Sequence, residues 1–179
     1  MSQQVVVARR AFLGGLAAQT AASQLNAAEP GMKLVIGSDH AGFPMKGPVI
    51  KTLQEWGYSV KDCGTYSPDP VDFPDIAQRL CGEILAARAQ RGIMVCGTGV
   101  GACIAANKIR GIRAALCHDT LCAHQCVEHD NVNVICMGAW VIGPLLANEV
   151  LASFLNAKFA SSDPDLKRRV KKLDEMERR

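Results

Sequence analysis

Residues 92–101 read Gly-Ile-Met-Val-Cys-Gly-Thr-Gly-Val-Gly, and this stretch decides the fold of the chain. An apolar run ends at Cys96, a glycine-rich turn follows at once, and residues 102–107 are typical of the start of a helix. A buried parallel strand that breaks into Gly-x-Gly-x-Gly brings several backbone N–H groups around one point at a helix N-terminus. The stretch therefore predicts an anion-binding turn with a thiol at its edge, an arrangement that favours carbanion or acyl chemistry.

The alternation of apolar runs and helical stretches continues through the chain from Met32. Strands are predicted over residues 34–36, 58–63, 93–96, 114–117 and 132–137. Helices are expected over 43–56, from a cap at Asp72 to about 88 with Pro74 in the first turn, and after each later strand. Short apolar strands that alternate with helices predict an α/β fold, a five-stranded parallel sheet covered by helices on both faces.

A final helix is expected from Asp163, with Pro164 at its first position. Its apolar side chains form a narrow stripe on a charged segment: Leu166, Val170, Leu173 and Met176. Two interpretations remain open, because such a stripe suits either docking on a partner subunit or packing on its own domain. The basic run over residues 167–172 predicts a solvated helix face or a ligand contact.

Length and charge limit the function classes. The chain has 179 residues, which suits one domain with a core of its own. Its 20 Lys and Arg residues against 17 Asp and Glu residues give a net charge of +3, too small an excess to indicate nucleic acid binding.

Eight cysteines are many for this length, and most lie in apolar runs, where cysteine behaves as a small hydrophobic residue. Their spacing is not that of a small disulfide-stapled domain. One cluster invites a metal-site interpretation: Cys117, His118, Cys122, His124, Cys126 and His129. It contains no Cys-x-x-Cys pair and its spacing is loose, so we expect no metal site.

Residues 1–31 have the features of an export signal. Arg9 and Arg10 precede Ala-Phe-Leu, a mildly apolar stretch runs to Ala22, and residues 26–28 offer small side chains suited to cleavage. This pattern predicts a twin-arginine leader and a periplasmic or exported protein. The stretch is too short and too polar to span a bilayer stably. In the alternative interpretation, translation starts at Met32 and the protein is cytoplasmic.

Most of the reactive side chains follow predicted strands. They are Asp39 and His40 after the first strand, Tyr66 after the second, Cys96 at the end of the third, and His118 and Asp119 after the fourth. Ligands of parallel sheets bind outside the carboxyl ends of the strands, so we expect these side chains to line one site. His129 lies just ahead of the fifth strand, where only the fold can bring it to the others.

Six motifs follow one another in a fixed order. They are Gly-Ser-Asp-His-Ala-Gly (37–42), Asp-Cys-Gly-Thr (62–65), Val-Asp-Phe-Pro-Asp (71–75), Cys-Gly-Thr-Gly-Val-Gly (96–101), Ala-Ala-Asn-Lys (105–108) and Gly-Ile-Arg-Ala (111–114). With them, residues 32–179 resemble ribose-5-phosphate isomerase type B and its galactose-6-phosphate isomerase relatives. The resemblance implies a Rossmann-like three-layer αβα sandwich, a homodimer or homotetramer with sites shared between subunits, and no metal or organic cofactor.

The activity that this resemblance implies is aldose–ketose isomerisation of a small sugar or sugar phosphate. A proton would move between C2 and C1 through an enediolate, as in the conversion of ribose 5-phosphate into ribulose 5-phosphate. Cys96 would be the base, and Asp39 and His129 would open the sugar ring and shuttle protons among the oxygens. A helix N-terminus lowers the pKa of a thiol, so we expect a usable fraction of Cys96 thiolate near neutral pH.

The resemblance also implies the substrate contacts. Tyr66 would line the substrate, and His40 and Arg169 would contact its phosphate. The enediolate would be held by the hydroxyl of Thr98 and by backbone N–H groups of the glycine-rich turn: those of Gly97, Gly99, Val100 and Gly101.

Three positions depart from the family pattern. Asp130 stands where the family usually has Asn, Trp140 where it commonly has Arg, and Asp165 where it carries another Arg. Losing one charge-assisted hydrogen bond costs about 1.5–3 kcal/mol, so phosphate binding weakens unless Lys167 or Arg168 compensates. We therefore hypothesise an unphosphorylated or differently charged aldose as the alternative to ribose 5-phosphate, with Trp140 stacking on the sugar ring.

Two other functions fit parts of the pattern. A dinucleotide-binding module would also place glycines after a strand, but the spacing here is Gly-x-Gly-x-Gly rather than Gly-x-Gly-x-x-Gly. A non-catalytic sugar-binding protein would share the fold, and the intact set of Asp39, Cys96 and His129 argues against it.

Overall fold

The computed structural model describes residues 31–177 and shows a sheet of five parallel strands. The strands are β1 (Lys33–Ser38), β2 (Ser59–Asp62), β3 (Arg91–Cys96), β4 (Ala114–Leu116) and β5 (Val134–Gly138). The helices are α1 (Phe43–Glu55), α2 (Phe73–Leu85), α3 (Val100–Ala106), α4 (Thr120–Asp130), α5 (Pro144–Asn156) and α6 (Pro164–Met176). The strand order is β2-β1-β3-β5-β4, which confirms the predicted α/β class. The predicted leader, apart from Gly31, lies outside the described residues, and the domain boundary at Met32 stays a prediction.

Helices cover both faces of the sheet because successive strand residues point to opposite sides. Leu34 and Ile36 belong to the apolar cluster that holds α1, α4 and α5. Val35 lies between them in sequence and belongs to the opposite cluster, with α2 and α3. The molecule is thus the expected three-layer sandwich.

Two helix starts differ in detail from expectation. α3 begins at Val100, two residues earlier than predicted, because Gly99 adopts φ +82° and ends the turn there. Asp72 precedes α2 as expected, but among the described residues its side chain accepts no hydrogen bond from the first turn. Its backbone carbonyl accepts from the N–H of Asp75 instead, at 3.1 Å.

α6 packs partly on its own domain. The Asp163 side chain caps it by accepting from the N–H groups of Asp165 and Leu166, at 2.8 and 3.2 Å. Leu166 and Val170 are buried, whereas Leu173 and Met176 stay largely exposed. Docking of the exposed half of the stripe on a partner therefore stays a prediction. None of the helices described between residues 31 and 177 combines the length and apolar character that crossing a bilayer requires.

Candidate active site

The order in which the chain adds strands to the sheet reverses between β1 and β3. The chain adds β2 on one side of β1 and the three later strands on the other side. Loops after the two central strands separate at such a point and leave a crevice beyond the carboxyl ends of the strands, here called the catalytic edge. Asp39 directly follows β1 and Cys96 ends β3, so the fold brings these two residues to the crevice.

The Cys96 thiol donates a hydrogen bond to the carboxylate of Asp39. The Sγ atom lies 2.8 Å from Oδ2, and both residues are buried. The other carboxylate oxygen, Oδ1, accepts from the backbone N–H of Gly42 at 2.9 Å. Because both oxygens have donors, the carboxylate is held in one orientation against the sulfur.

Gly42 lets the loop after β1 press against β3. A Cβ atom at this position would lie 2.1 Å from the carbonyl oxygen of Val95, which is closer than any side chain tolerates. Val95 directly precedes Cys96. The missing side chain at Gly42 is therefore what allows the Asp39 carboxylate to reach the thiol.

Burial raises the pKa of the Cys96 thiol, and the hydrogen bond and charge of Asp39 raise it further. The N–H groups of Gly99 and Gly97 lower this pKa by bonding to the sulfur, but they do not outweigh the other two effects. The expectation of a lowered pKa and a thiolate near neutral pH is therefore wrong. The raised pKa favours the neutral thiol of Cys96 at neutral pH.

The loop after β3 is clamped by the segment after β5. The N–H groups of Ala139 and Trp140 donate to the carbonyl oxygens of Cys96 and Gly97, both at 2.9 Å. The Trp140 ring covers Gly97, where a Cβ atom would approach ring carbons to 2.8 Å. These contacts hold the loop carbonyls on one side while the N–H groups of Gly97 and Gly99 face the sulfur.

Thr98 lies between these two glycines. Its Oγ1 accepts from the N–H of Val100 at 3.4 Å, a long bond that a substrate oxygen can replace. Val100 and Gly101 open α3, and the first N–H groups of a helix have no acceptor within it. The predicted turn lies beside the thiol and the carboxylate, and its binding of an anion stays a prediction.

Two more predicted residues follow β1 and β2. The Nδ1 atom of His40 accepts from the N–H of Val71 at 3.3 Å, which leaves its Nε2 for a ligand. Tyr66 is 69% exposed, and its hydroxyl donates to the carbonyl oxygen of Asp62 at 3.1 Å.

Lys46 is a residue that the sequence interpretation misses. Its Nζ donates to both carboxylate oxygens of Asp62, at 2.7 and 2.6 Å, and to the carbonyl oxygen of Thr65. It also lies 4.9 Å from the centre of the Tyr66 ring. A buried lysine thus fixes the loop that carries Tyr66. The available signal was its position three and seven residues before Val49 and Leu53, on the buried face of α1.

The cysteines and histidines around α4 do not converge on one point. Within residues 31–177, no three side chains of His, Cys, Asp or Glu are placed to hold a metal ion. All eight cysteines are free thiols. His118 instead accepts from the N–H of Gly138 at 2.9 Å, and His124 lies 3.5 Å from the carboxylate of Glu128.

Three predicted site residues lie at the opposite end of the sheet. His129 and Asp130 end α4, which leads into the start of β5. Arg169 is on α6, and the segment before α6 is tied to that end of α4 by the bond from the N–H of Ala160 to the carbonyl oxygen of Glu128. Cys96 pairs with the last residue of β5, which has five residues. At about 3.3 Å per residue, the two ends are about 13 Å apart, so the expected Asp39–His129 pair does not form within one chain.

Known proteins that resemble this chain in sequence and structure are sugar isomerases. Residues 34–173 match the model of the ribose/galactose isomerase family. The chain is 44% identical over 132 residues to the D-erythrulose-4-phosphate isomerase of Pectobacterium atrosepticum, covering 72% of this chain and 85% of that protein. It is 38% identical over 132 residues to the 4-deoxy-4-sulfo-D-erythrose isomerase of a Clostridium species, covering 73% and 83%. Ribose-5-phosphate isomerase B of Clostridium thermocellum has a structure that matches with a TM-score of 0.79 and 38% identity, over 82% of this chain and 98% of that one.

The chain belongs to the ribose/galactose isomerase family. It is an aldose–ketose isomerase, as the ordered motifs predict.

The carboxylate that one departure from the family pattern introduces, Asp165, pairs with a neighbouring cation. The Arg168 guanidinium donates to the Asp165 carboxylate and lowers its pKa. The added negative charge of Asp165 is thus satisfied locally.

Substituting Asp39 by Asn is predicted to shift the titration of Cys96 in the isomerase. The amide still accepts from the N–H of Gly42 but removes the charge that raises the pKa of the thiol. Alkylation of Cys96 by iodoacetamide, followed peptide by peptide with mass spectrometry, should reach half its maximal rate at a lower pH than in the wild type.

Asp119→Asn is the matched control. Asp119 raises the pKa of Cys122 by a side-chain hydrogen bond, so this variant should shift the alkylation of Cys122 and leave that of Cys96 unchanged. An unchanged Cys96 profile in Asp39→Asn would contradict the account of the thiol.

Proposed function

We propose that this isomerase interconverts a short aldose that carries an anionic terminus and the corresponding ketose, with the Cys96 sulfur as the base. The observation that carries the proposal is the 2.8 Å contact between the Sγ atom of Cys96 and the carboxylate of Asp39. The N–H groups of Gly97 and Gly99 bond to the same sulfur atom. A thiol, a proton acceptor and an oxyanion hole at one point are the three elements that an enediolate mechanism needs.

The proton balance follows from the neutral thiol. The Cys96 proton passes to Oδ2 of Asp39, and the resulting thiolate removes the proton from C2 of the open-chain aldose. The C1 carbonyl oxygen becomes the enediolate oxygen, held by the loop N–H groups. The sulfur then delivers its proton to C1, one proton moves from O2 to O1, and Asp39 returns its proton to the thiolate.

The glycine-rich loop supplies the stabilisation of the negative charge. A hydrogen bond to the developing oxyanion strengthens as charge accumulates, so it lowers the barrier rather than tightening substrate binding. Loss of one such donor costs about 2.7–4 kcal/mol in other enzymes. The hydrogen bonds from the N–H groups of Ala139 and Trp140 to the loop carbonyls keep the loop preorganised for this role.

We propose that the site is completed by a second copy of the chain. His129, Asp130 and Arg169 lie at the edge opposite Cys96, so a partner subunit is the source that brings them to the crevice. Large exposed apolar side chains surround the ends of the elements at the catalytic edge: Val100, Leu116, Leu121, Trp140, Val141 and Leu145. Such a concentration favours a protein interface at this edge.

An anionic terminus is favoured because cations remain on α6. Arg168 neutralises Asp165, and Lys167 and Arg169 stand on the same helix. A four-carbon chain is favoured by the two isomerases to which the chain is 44% and 38% identical, whose named substrates end in a phosphate or a sulfonate at C4. The Trp140 ring also covers Gly97, which limits the space for a longer substrate beside the loop.

A panel of D-erythrose 4-phosphate, D-ribose 5-phosphate and the two free sugars tests this function. We expect kcat/KM to be about tenfold or more higher for the four-carbon than for the five-carbon phosphate, the discrimination typical of one carbon unit. Free sugars should be at least tenfold poorer because each charge-assisted hydrogen bond is worth about 1.5–3 kcal/mol. Faster turnover of the free sugars would support the unphosphorylated alternative and contradict the anionic one.

The same panel is run with Cys96→Ala and with Cys122→Ala as the control thiol, which is exposed. Cys96→Ala should lower kcat by about 10²–10⁴, the usual contribution of a general base, and should stop exchange of the C2 proton with solvent deuterium in NMR. Cys122→Ala should leave both unchanged. Full activity of Cys96→Ala would overturn the base assignment. A wild type that neither isomerises any sugar of the panel nor exchanges its C2 proton would favour a sugar-binding protein.

Mixing two inactive variants tests the shared site. In a mixed dimer of Cys96→Ala and His129→Ala chains, one of the two sites regains both residues, so random mixing should restore about a quarter of the wild-type activity. Cys96→Ala mixed with Asp39→Asn is the control and should restore nothing, since these residues come from the same chain. Equal restoration in both mixtures, or in neither, would contradict a site built from two copies.

A further inference from the structure

His118 makes a contact that the proposed chemistry does not use. It follows β4, and its Nε2 accepts a hydrogen bond of 2.9 Å from the backbone N–H of Gly138. Because a backbone amide can only donate, Nε2 carries no proton. This hydrogen bond corresponds to the tautomer of His118 with its hydrogen on Nδ1.

Gly138 lies directly against the anion-binding loop. A Cβ atom at Gly138 would lie 2.7–2.9 Å from the backbone oxygen, carbon and Cα atoms of Thr98, so the two backbones are in contact. The next two residues, Ala139 and Trp140, form the carbonyl clamps on the loop. A shift of Gly138 is therefore passed on to the loop N–H groups.

The backbone around His118 is itself anchored on both sides. The N–H of Cys117 donates to the carbonyl oxygen of Cys136 at 3.0 Å, which ties the preceding residue to β5. The Asp119 carboxylate accepts from the N–H of Cys122 at 2.7 Å and caps α4. The backbone that carries the imidazole is thus held on both sides, so the ring can keep Gly138 in position.

We propose that His118 is a positioning residue of the isomerase, which acts through Gly138 on the loop that stabilises the oxyanion. The inference rests on the proposed function of that loop. The imidazole does not touch the reacting atoms. It fixes the position of residues 138–140 against the glycine-rich loop, and thereby the direction of the N–H groups around Cys96.

Three substitutions separate the hydrogen bond from packing. In His118→Gln a side-chain oxygen can still accept from Gly138, His118→Leu fills the space without an acceptor, and His118→Ala removes both. We expect kcat to fall about a hundredfold in the Ala and Leu variants, the typical effect of a small misplacement of catalytic groups, with KM changed less than about threefold. The Gln variant should keep kcat within about threefold of the wild type. The exposed His124, substituted by Ala, is the control and should leave kcat unchanged.

NMR supplies a readout that does not depend on activity. The ¹⁵N shifts of the His118 ring should report the Nδ1-protonated tautomer, and the amide resonance of Gly138 should move in His118→Leu but stay in place in His118→Gln. Equal losses of kcat in the Gln and Leu variants, or a Gly138 resonance that ignores all substitutions, would overturn the inference. Failure of the proposed function looks different, because Cys96→Ala would then stay active. Failure of this inference alone leaves Cys96→Ala inactive and His118→Leu at the wild-type kcat.

Discussion

The hydrogen bond between the Cys96 thiol and the Asp39 carboxylate is the contact on which the site depends. It joins the ends of β1 and β3, where the order of strand addition reverses. The two residues can meet because Gly42 allows its loop to pack against the backbone of Val95. The contact orients the sulfur toward the crevice and provides a proton acceptor for it. The glycine-rich loop adds the third element, a set of N–H groups beside the sulfur.

Burial is the largest cause of the raised pKa of Cys96, and this contact with Asp39 raises it further. Two unit negative charges 4 Å apart repel by about 4 kcal/mol at an effective dielectric constant of 20, so a thiolate beside the Asp39 carboxylate is disfavoured. Burial acts in the same direction, and the N–H groups of Gly97 and Gly99 oppose it.

The sequence predicts the parts of this site that depend on neighbours along the chain. The apolar run before Cys96 and the glycines after it specify a strand, a turn and a helix, and the alternation around them specifies the parallel sheet. Spacing does not report contacts across the sheet. The Asp39–Cys96 bond joins residues 57 positions apart, so the rise in the pKa of Cys96 was not predictable from the helix N-terminus alone. His129 shows the same limit, since its motif indicates a role but not that α4 carries it to the far end of β5. Lys46 was missed because a lone lysine in an amphipathic helix is usually solvated.

The most direct test is a titration of Cys96 in the free wild-type protein by ¹³C NMR. The Cβ resonance is assigned with Cys96→Ser and followed from about pH 6 to about pH 10, a range that spans the ordinary thiol pKa. The account predicts the shift of a neutral thiol through neutral pH and a transition above the value of about 8.5 seen for a free cysteine. A thiolate shift at neutral pH would contradict it.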